Sequence, residues 1–118
     1  MNKIGIIFAM KEELDALKEY LEITNEYKIF ELNFYEGIIN NIKCILVESG
    51  VGKVNAARTT QILIDNMDVD CIFNIGVAGG LAQDLNVLDI VVADKLVQHD
   101  FDITAFNHEK GYIPNVGK

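Results

Sequence analysis

The sequence predicts an α/β fold: a mixed, mainly parallel central sheet with flanking helices. Two observations carry that expectation. Continuous apolar runs over residues 3–9, 42–48 and 70–77 have the length and composition of strands buried on both faces. Each run empties into a turn of small residues, and the first two of these turns lead directly into a stretch with helical character.

The elements follow in order. After the run at 3–9, Met10, Leu14, Leu17 and Leu21 repeat at helical spacing, which predicts an amphipathic helix over 10–21. Residues 28–36 and 42–48, separated by Gly37 and the Asn40-Asn41 pair, predict antiparallel strands, because Asn tolerates the left-handed turn conformation. Gly50 and Gly52 then open a helix over about residues 54–66. The run at 70–77 ends in Gly76-Val77-Ala78-Gly79-Gly80, and one more strand is expected over 89–97. From His99 onward the periodicity fades, and the segment through Pro114 reads as a long loop.

A chain of 118 residues is at most one domain, and with half its residues hydrophobic it has the material for a packed core. The net charge is -8, and the only cations besides nine lysines and Arg58 would be His99 and His108, with no cluster on any segment. Nucleic acid and anionic membrane, which bind through concentrated positive charge, are therefore unsuitable partners. Cys44 and Cys71 lie in apolar runs without CxxC spacing and read as buried core thiols of a reducing compartment. The apolar stretch at the N-terminus is too short for a secretory signal, and no run reaches the length of a membrane span. A cytoplasmic protein is the expectation.

In a parallel sheet, ligands sit beyond the carboxyl ends of the strands. Three strands are expected to end there in special turns, at residues 9–13, 49–53 and 77–80, so all three turns can line one rim. Two apparent motifs fail. Gly50-x-Gly52-x-x-Asn55 lacks the third glycine of a dinucleotide fingerprint. Gly52-Lys53 lacks the upstream glycine and the following Ser or Thr of a phosphate-binding P-loop. No redox cofactor and no nucleoside triphosphate is expected. His99-Asp100-Phe101-Asp102 has no helical histidine pairing and reads as solvated loop polarity rather than a metal site.

Glu13 is the one acid of the first helix that leans toward its apolar stripe. At about 100° per residue it falls roughly 60° from the stripe's centre, whereas Glu12, Asp15 and Glu19 point to the opposite half. A carboxylate held against apolar neighbours has its pKa raised by desolvation, which suits a general base acting on water. The alternative is a first-turn Glu that stabilises the helix terminus, and the sequence weighs the two about equally.

Four ordered blocks stand out: Ile4-Gly5-Ile6-Ile7-x-Ala9-Met10-x-Glu12-Glu13, Ser49-Gly50-Val51-Gly52-Lys53-Val54-Asn55-Ala56-Ala57, Asn74-Ile75-Gly76-Val77-Ala78-Gly79-Gly80-Leu81-Ala82 and Gln98-His99-Asp100-x-Asp102-Ile103-Thr104-Ala105-Phe106. Together they closely resemble the bacterial 5'-methylthioadenosine/S-adenosylhomocysteine nucleosidases. The resemblance implies a fold of the purine nucleoside phosphorylase type and hydrolysis of an N-glycosidic bond to release adenine, without a cofactor or metal. By that resemblance Glu13 activates the attacking water. Ala9, Met10 and Val51 surround ribose and water, and Val77 and Gly79 belong to the nucleoside pocket. Ile103, Phe106 and Pro114 match a loop that, in the family's homodimers, reaches into the neighbour's site. The partners implied are a small adenine nucleoside and a second copy of the chain.

Arginine forks would be needed to hold phosphate, and the only arginine, Arg58, is expected inside the second helix away from the turns, so water is favoured as nucleophile over phosphate. The chain departs from the family pattern at Phe8 (usually glycine), Lys11 (an acid) and Val77 (a small hydroxyl residue). The family's later Met-Glu pair for the ribose hydroxyls and its Ser-Asp acid are not in these 118 residues. The expectation is thus residues 1–118 as the N-terminal part of a single nucleosidase domain, catalytically impaired on its own. The alternatives are a noncatalytic self-associating remnant or a related purine nucleoside phosphorylase or hydrolase.

Overall fold

The computed structural model describes residues 2–97, and in it the N-terminal apolar run forms β1 (Lys3–Phe8), buried from Ile4 onward. There follow α1 (Lys11–Lys18), β2 (Glu22–Ile29), β3 (Leu32–Ile39), β4 (Ile42–Glu48), α2 (Lys53–Asn66) and β5 (Cys71–Ile75). The sheet runs β2-β3-β4-β1-β5. β1 lies between β4 and β5 and is parallel to both, while β2-β3 and β3-β4 are antiparallel. The sheet is mixed, as expected, with its parallel part at the end where the three turns are.

The alternation of β-strand side chains divides the core into two layers. Ile7, Phe34, Ile45 and Val47 face α2 through Ile62, Leu63 and Met67. On the other face Ile4, Ile6, Phe8, Cys44 and Leu46 pack against Leu14 and Leu21. A helix on each side of β1 and β4 is why Ile4–Phe8 and Cys44–Val47 are buried without alternation. α1 is shorter than the apolar repeat predicts. It closes with tighter turns, Tyr20 N–H to Leu17 O at 3.0 Å and Leu21 N–H to Lys18 O at 3.1 Å, and these still deliver Leu21 into the core.

Four expectations need correction. The single strand over 28–36 is really the end of β2 and the start of β3, joined by a tight hairpin at Phe30 (φ 48°) and Glu31 (φ 66°). Gly37 separates nothing. It lies inside β3, opposite Ile23 on one side and Cys44 on the other. Cys44 is buried but Cys71 only half-buried. Residues 89–97 form no strand. Ile90 is 93% exposed, and Asp89 makes a local turn instead, accepting the Asn86 N–H at 2.8 Å and donating its own N–H to Asn86 O at 3.1 Å. A run apolar on both faces becomes a strand only where neighbours pair with it and cover it, and Ile90 is left in solvent. The chain divides into two compact units, Met1–Gly79 and Gly80–Lys118. The first contains every helix and strand among the described residues.

On the α2 side, one polar cluster joins β1, β2 and β3. Lys3 Nζ lies 2.7 Å from Glu36 Oε2. The Tyr27 hydroxyl donates to Glu36 Oε1 at 3.0 Å, and the Asn25 side-chain amide donates to the same oxygen at 3.4 Å. The Lys3 ammonium, helped by Tyr27 and Asn25, holds the Glu36 carboxyl below its usual range against the opposing effect of partial burial. The same Tyr27–Glu36 bond pushes the phenol upward. Because the folded-state pKa of Glu36 is lowered, its stabilisation is fully present above the ordinary carboxylate pKa and is lost as pH falls through the lowered value. Glu36→Gln is therefore expected to be about 1 kcal/mol less stable than the parent at neutral pH. Thermal midpoints measured from neutral to acidic pH should converge below the carboxylate range. A gap that stays constant with pH would refute the ionic origin.

Candidate active site

Phe8, Glu48 and Ile75 are the last residues of three adjacent parallel strands, with Phe8 in register with both others. The turns that follow them share one rim of the sheet, about 10 Å across at the usual strand spacing. The first two predicted turns, and the third as far as Gly79, are thus brought together within the first unit.

Glu13 stands between the turn after β1 and the end of β5. It is half-buried, while Glu12 and Glu19 are exposed; Asp15, expected on the opposite half of the wheel, is half-buried as well, so burial alone does not set Glu13 apart. Its Oε1 accepts the backbone N–H of Met10 at 3.1 Å, satisfying one of the open donors at the start of α1. Its other oxygen reaches toward the end of β5, where a Cβ on Gly76 would lie 3.2 Å from Oε2. One oxygen thus caps the helix, as the second of the two readings expects, and the other lies beside Gly76. Glu12 and Glu13 both occupy the first turn of α1, where the helix terminus favours negative charge.

The second turn is fastened to the first. The Ser49 N–H donates to Phe8 O at 2.8 Å, and its buried hydroxyl lies 3.3 Å from Phe8 O and 2.8 Å from Gly50 O. Gly50 (φ 85°) and Gly52 (φ 104°) take backbone conformations that side-chain-bearing residues rarely adopt. Between them Val51 projects outward, 71% exposed. Gly52 is the N-cap of α2 and offers no side-chain cap, and no acid lies in that first helical turn.

Ala9 is half-buried in the first turn and Met10 is exposed beside it. In the third turn Val77 is 85% exposed, and Gly79 borders open space. Ile103, Phe106 and Pro114, with the His99 to Asp102 segment, lie outside the described residues. Among the described residues no group of three or more His, Cys, Asp or Glu side chains converges as a metal site. Ser49, Asn55 and Gly76 belong to this rim; the sequence blocks contain them, with no site role attached to any of the three. The signal available for them was polar or side-chain-free positions inside turns whose neighbours had been noted.

Two grooves, of about 440 and 430 Å³, open elsewhere. The larger lies at the opposite, amino ends of β1 and β4, around Lys3, Lys43 and Asp70. The other runs beside α1 and touches the rim at Lys11, Glu48, Ser49 and Gly50. Neither includes Glu13 among its lining residues.

A family model described as the phosphorylase superfamily matches residues 3–117. The chain belongs to this superfamily. It is 44% identical over 114 residues to the 5'-methylthioadenosine/S-adenosylhomocysteine nucleosidase of Bacillus licheniformis, covering 97% of this chain and 49% of that protein. The nucleosidase of Staphylococcus carnosus is 45% identical over 113 residues, covering 96% and 50%. Among solved superfamily structures, the nucleosidase of Colwellia psychrerythraea in complex with adenine aligns with a TM-score of 0.91 at 43% identity, covering 95% of this chain and 46% of that one. The futalosine hydrolase of Helicobacter pylori aligns at 0.90 with 38% identity, covering 98% and 50%. The chain spans about half the length of the curated relatives it matches. The superfamily fold is thus present in this half, with its parallel strands ending at the Glu13 rim.

Proposed function

We propose that this chain supplies the water-activating wall of a hydrolase that cleaves the N-glycosidic bond of 5'-methylthioadenosine and S-adenosylhomocysteine. The observation that carries the reading is the Glu13 carboxylate, tethered through Oε1 to Met10 N–H with Oε2 at the end of β5. The named activities of the relatives support it, as does the adenine complex of the Colwellia neighbour. In this reading water attacks the anomeric carbon as the bond to adenine breaks, and Glu13 takes the water's proton. Its negative charge also stabilises the oxocarbenium-like ribosyl centre. The products are adenine and the thioribose, and adenine leaves with a proton from an acid that these 118 residues do not provide.

Ala9, Met10, Val51, Val77 and Gly79 form this wall of the nucleoside site, and Ile103, Phe106 and Pro114 of a second copy cover the alkylthio group in a homodimer. The reaction belongs to methionine salvage in the cytoplasm and uses no cofactor. Residues 1–118 act as the N-terminal part of a single nucleosidase domain. A phosphorylase is the less favoured reading, because Arg58 sits exposed within α2, away from the β1 and β5 turns. A noncatalytic, self-associating chain is the other reading, and half-exposed Phe73 and Ile75 on β5 favour it. Adenine release from 5'-methylthioadenosine, followed with and without phosphate, separates the three. Slow release independent of phosphate is expected. Release that requires phosphate indicates a phosphorylase, and no release at high protein concentration leaves the noncatalytic reading.

A further inference from the structure

We propose that Asn55 is a positioning residue: its side-chain amide selects one course of the Gly50-Val51-Gly52 turn and so sets where Val51 stands on the rim. The consequence for ligand binding rests on Val51 being a wall of the nucleoside site; the positioning itself does not.

The turn has an unusual need for such a device. Two glycines with positive φ flank Val51, and glycine populates several backbone regions with similar ease, so nothing in the main chain alone holds the Val51 carbonyl in one direction. Residues at the start of a helix commonly fix it through an N-cap side chain, but here the N-cap is Gly52 and has none. Asn55, in the first turn of α2, reaches back instead and donates from Nδ2 to Val51 O at 2.9 Å. The amide also fills the space that a side chain on Gly50 would take, since a Cβ there would lie 3.1 Å from Nδ2. Gly50 and Asn55 are thus complementary: the glycine gives both the positive φ and the room, and the amide occupies that room.

Asn55 is itself anchored. Its backbone carbonyl accepts the hydroxyl of the fully buried Thr59 at 2.8 Å, one turn further along α2. On the other side Ser49 ties the turn to the end of β1 through Phe8 O. Two side chains bond to the turn between these anchors: the Ser49 hydroxyl donates to Gly50 O at 2.8 Å at its entry, and the Asn55 amide holds the Val51 carbonyl. Only an amide meets the requirement at this length: aspartate would set a carboxylate against the carbonyl oxygen, and alanine would leave the space empty.

Asn55→Asp and Asn55→Ala test the proposal through backbone 15N relaxation of the chain and titration with 5'-methylthioadenosine. Aspartate near a helix N-terminus is favourable for the helix, so that variant keeps α2 while breaking the turn. In both variants the order parameters of Val51 and Gly52 are expected to fall from the rigid value of about 0.85 to below about 0.6. Amides of β1 and β4 should stay unchanged. Where Val51 contacts the nucleoside, affinity should also weaken about tenfold, the scale of a lost apolar contact in a pocket. Unchanged order parameters at Val51 and Gly52 would overturn the proposal, and so would loosening that spreads equally into β1 and β4. Loosening confined to the turn, with no change in nucleoside affinity or none measurable in the parent chain, upholds Asn55 and counts against the nucleoside reading instead.

Discussion

Glu13→Gln is expected to lower adenine release about 10²–10⁴-fold, the usual contribution of one positioned acid–base group, while leaving the fold in place. The substitution is informative because of the two contacts of the carboxylate. Glutamine keeps an oxygen that accepts the Met10 N–H, now made at 3.1 Å by Oε1, so the start of α1 retains its cap. Its amide then occupies the position of Oε2 beside Gly76, and an amide accepts no proton from water. Glu13→Ala is the less clean experiment, since loss of such a cap costs roughly 1 kcal/mol and frees the turn that carries Ala9 and Met10. The check is a paired measurement of adenine release and thermal midpoint. A Gln variant with a parental midpoint and a parental rate would remove Glu13 from the chemistry and reduce it to a helix cap.

How much of this was legible in the sequence depends on what each residue had to satisfy. β1 and β4 are covered on both faces, so burial wrote itself into uninterrupted apolar runs. β2 is an edge strand whose residues are exposed from Glu22 to Lys28, with a register irregularity between Ile23 and Asn25, so no alternation of apolar and polar residues marks it. Glu22 and Glu26 on that edge give no strand signal, and charge there is also how open edges avoid pairing with other chains. The two hairpins make the same point. Asn40 and Asn41 have φ of 48° and 66°, and so do Phe30 and Glu31. The first pair announces its turn by residue type; the second takes the same conformation because the strands on either side require it. At the rim, the apolar runs and glycines marked the three turns, and the helical wheel marked Glu13. The bonds of Ser49 to Phe8 O, and the approach of Glu13 to Gly76, depend on which strands are neighbours, and that order is a property of the sheet rather than of any segment.

Gly37 is where this difference has its largest consequence for stability. Its Cα hydrogen faces the side of the sheet on which Leu21 is buried. There the chain returns from α1 and enters β2 at Glu22, passing directly over β3. A Cβ on Gly37 would collide with the Glu22 carbonyl oxygen and would lie 2.8 Å from its carbon and 2.9 Å from Leu21 Cγ. A flexible side chain could swing aside, but the Glu22 backbone is fixed on both sides. Leu21 N–H is bonded to Lys18 O at 3.1 Å, and Glu22 is paired with Ile38. Relief must come from separating β2 from β3 or from withdrawing Leu21 from the core. Gly37→Ala is therefore expected to destabilise the chain by about 3 kcal/mol, the upper end of overpacking costs, because backbone must yield. That is a large share of the roughly 5–15 kcal/mol that holds a domain of this size. Urea unfolding monitored by circular dichroism checks it, with Gly76→Ala for comparison, where the only close neighbour is the end of the Glu13 side chain. The Gly76 variant should lose less than half as much. Equal losses would mean that the crossing of β2 over Gly37 does not constrain the sheet, and that the glycine in β3 is there for some other reason than the path of the chain out of α1.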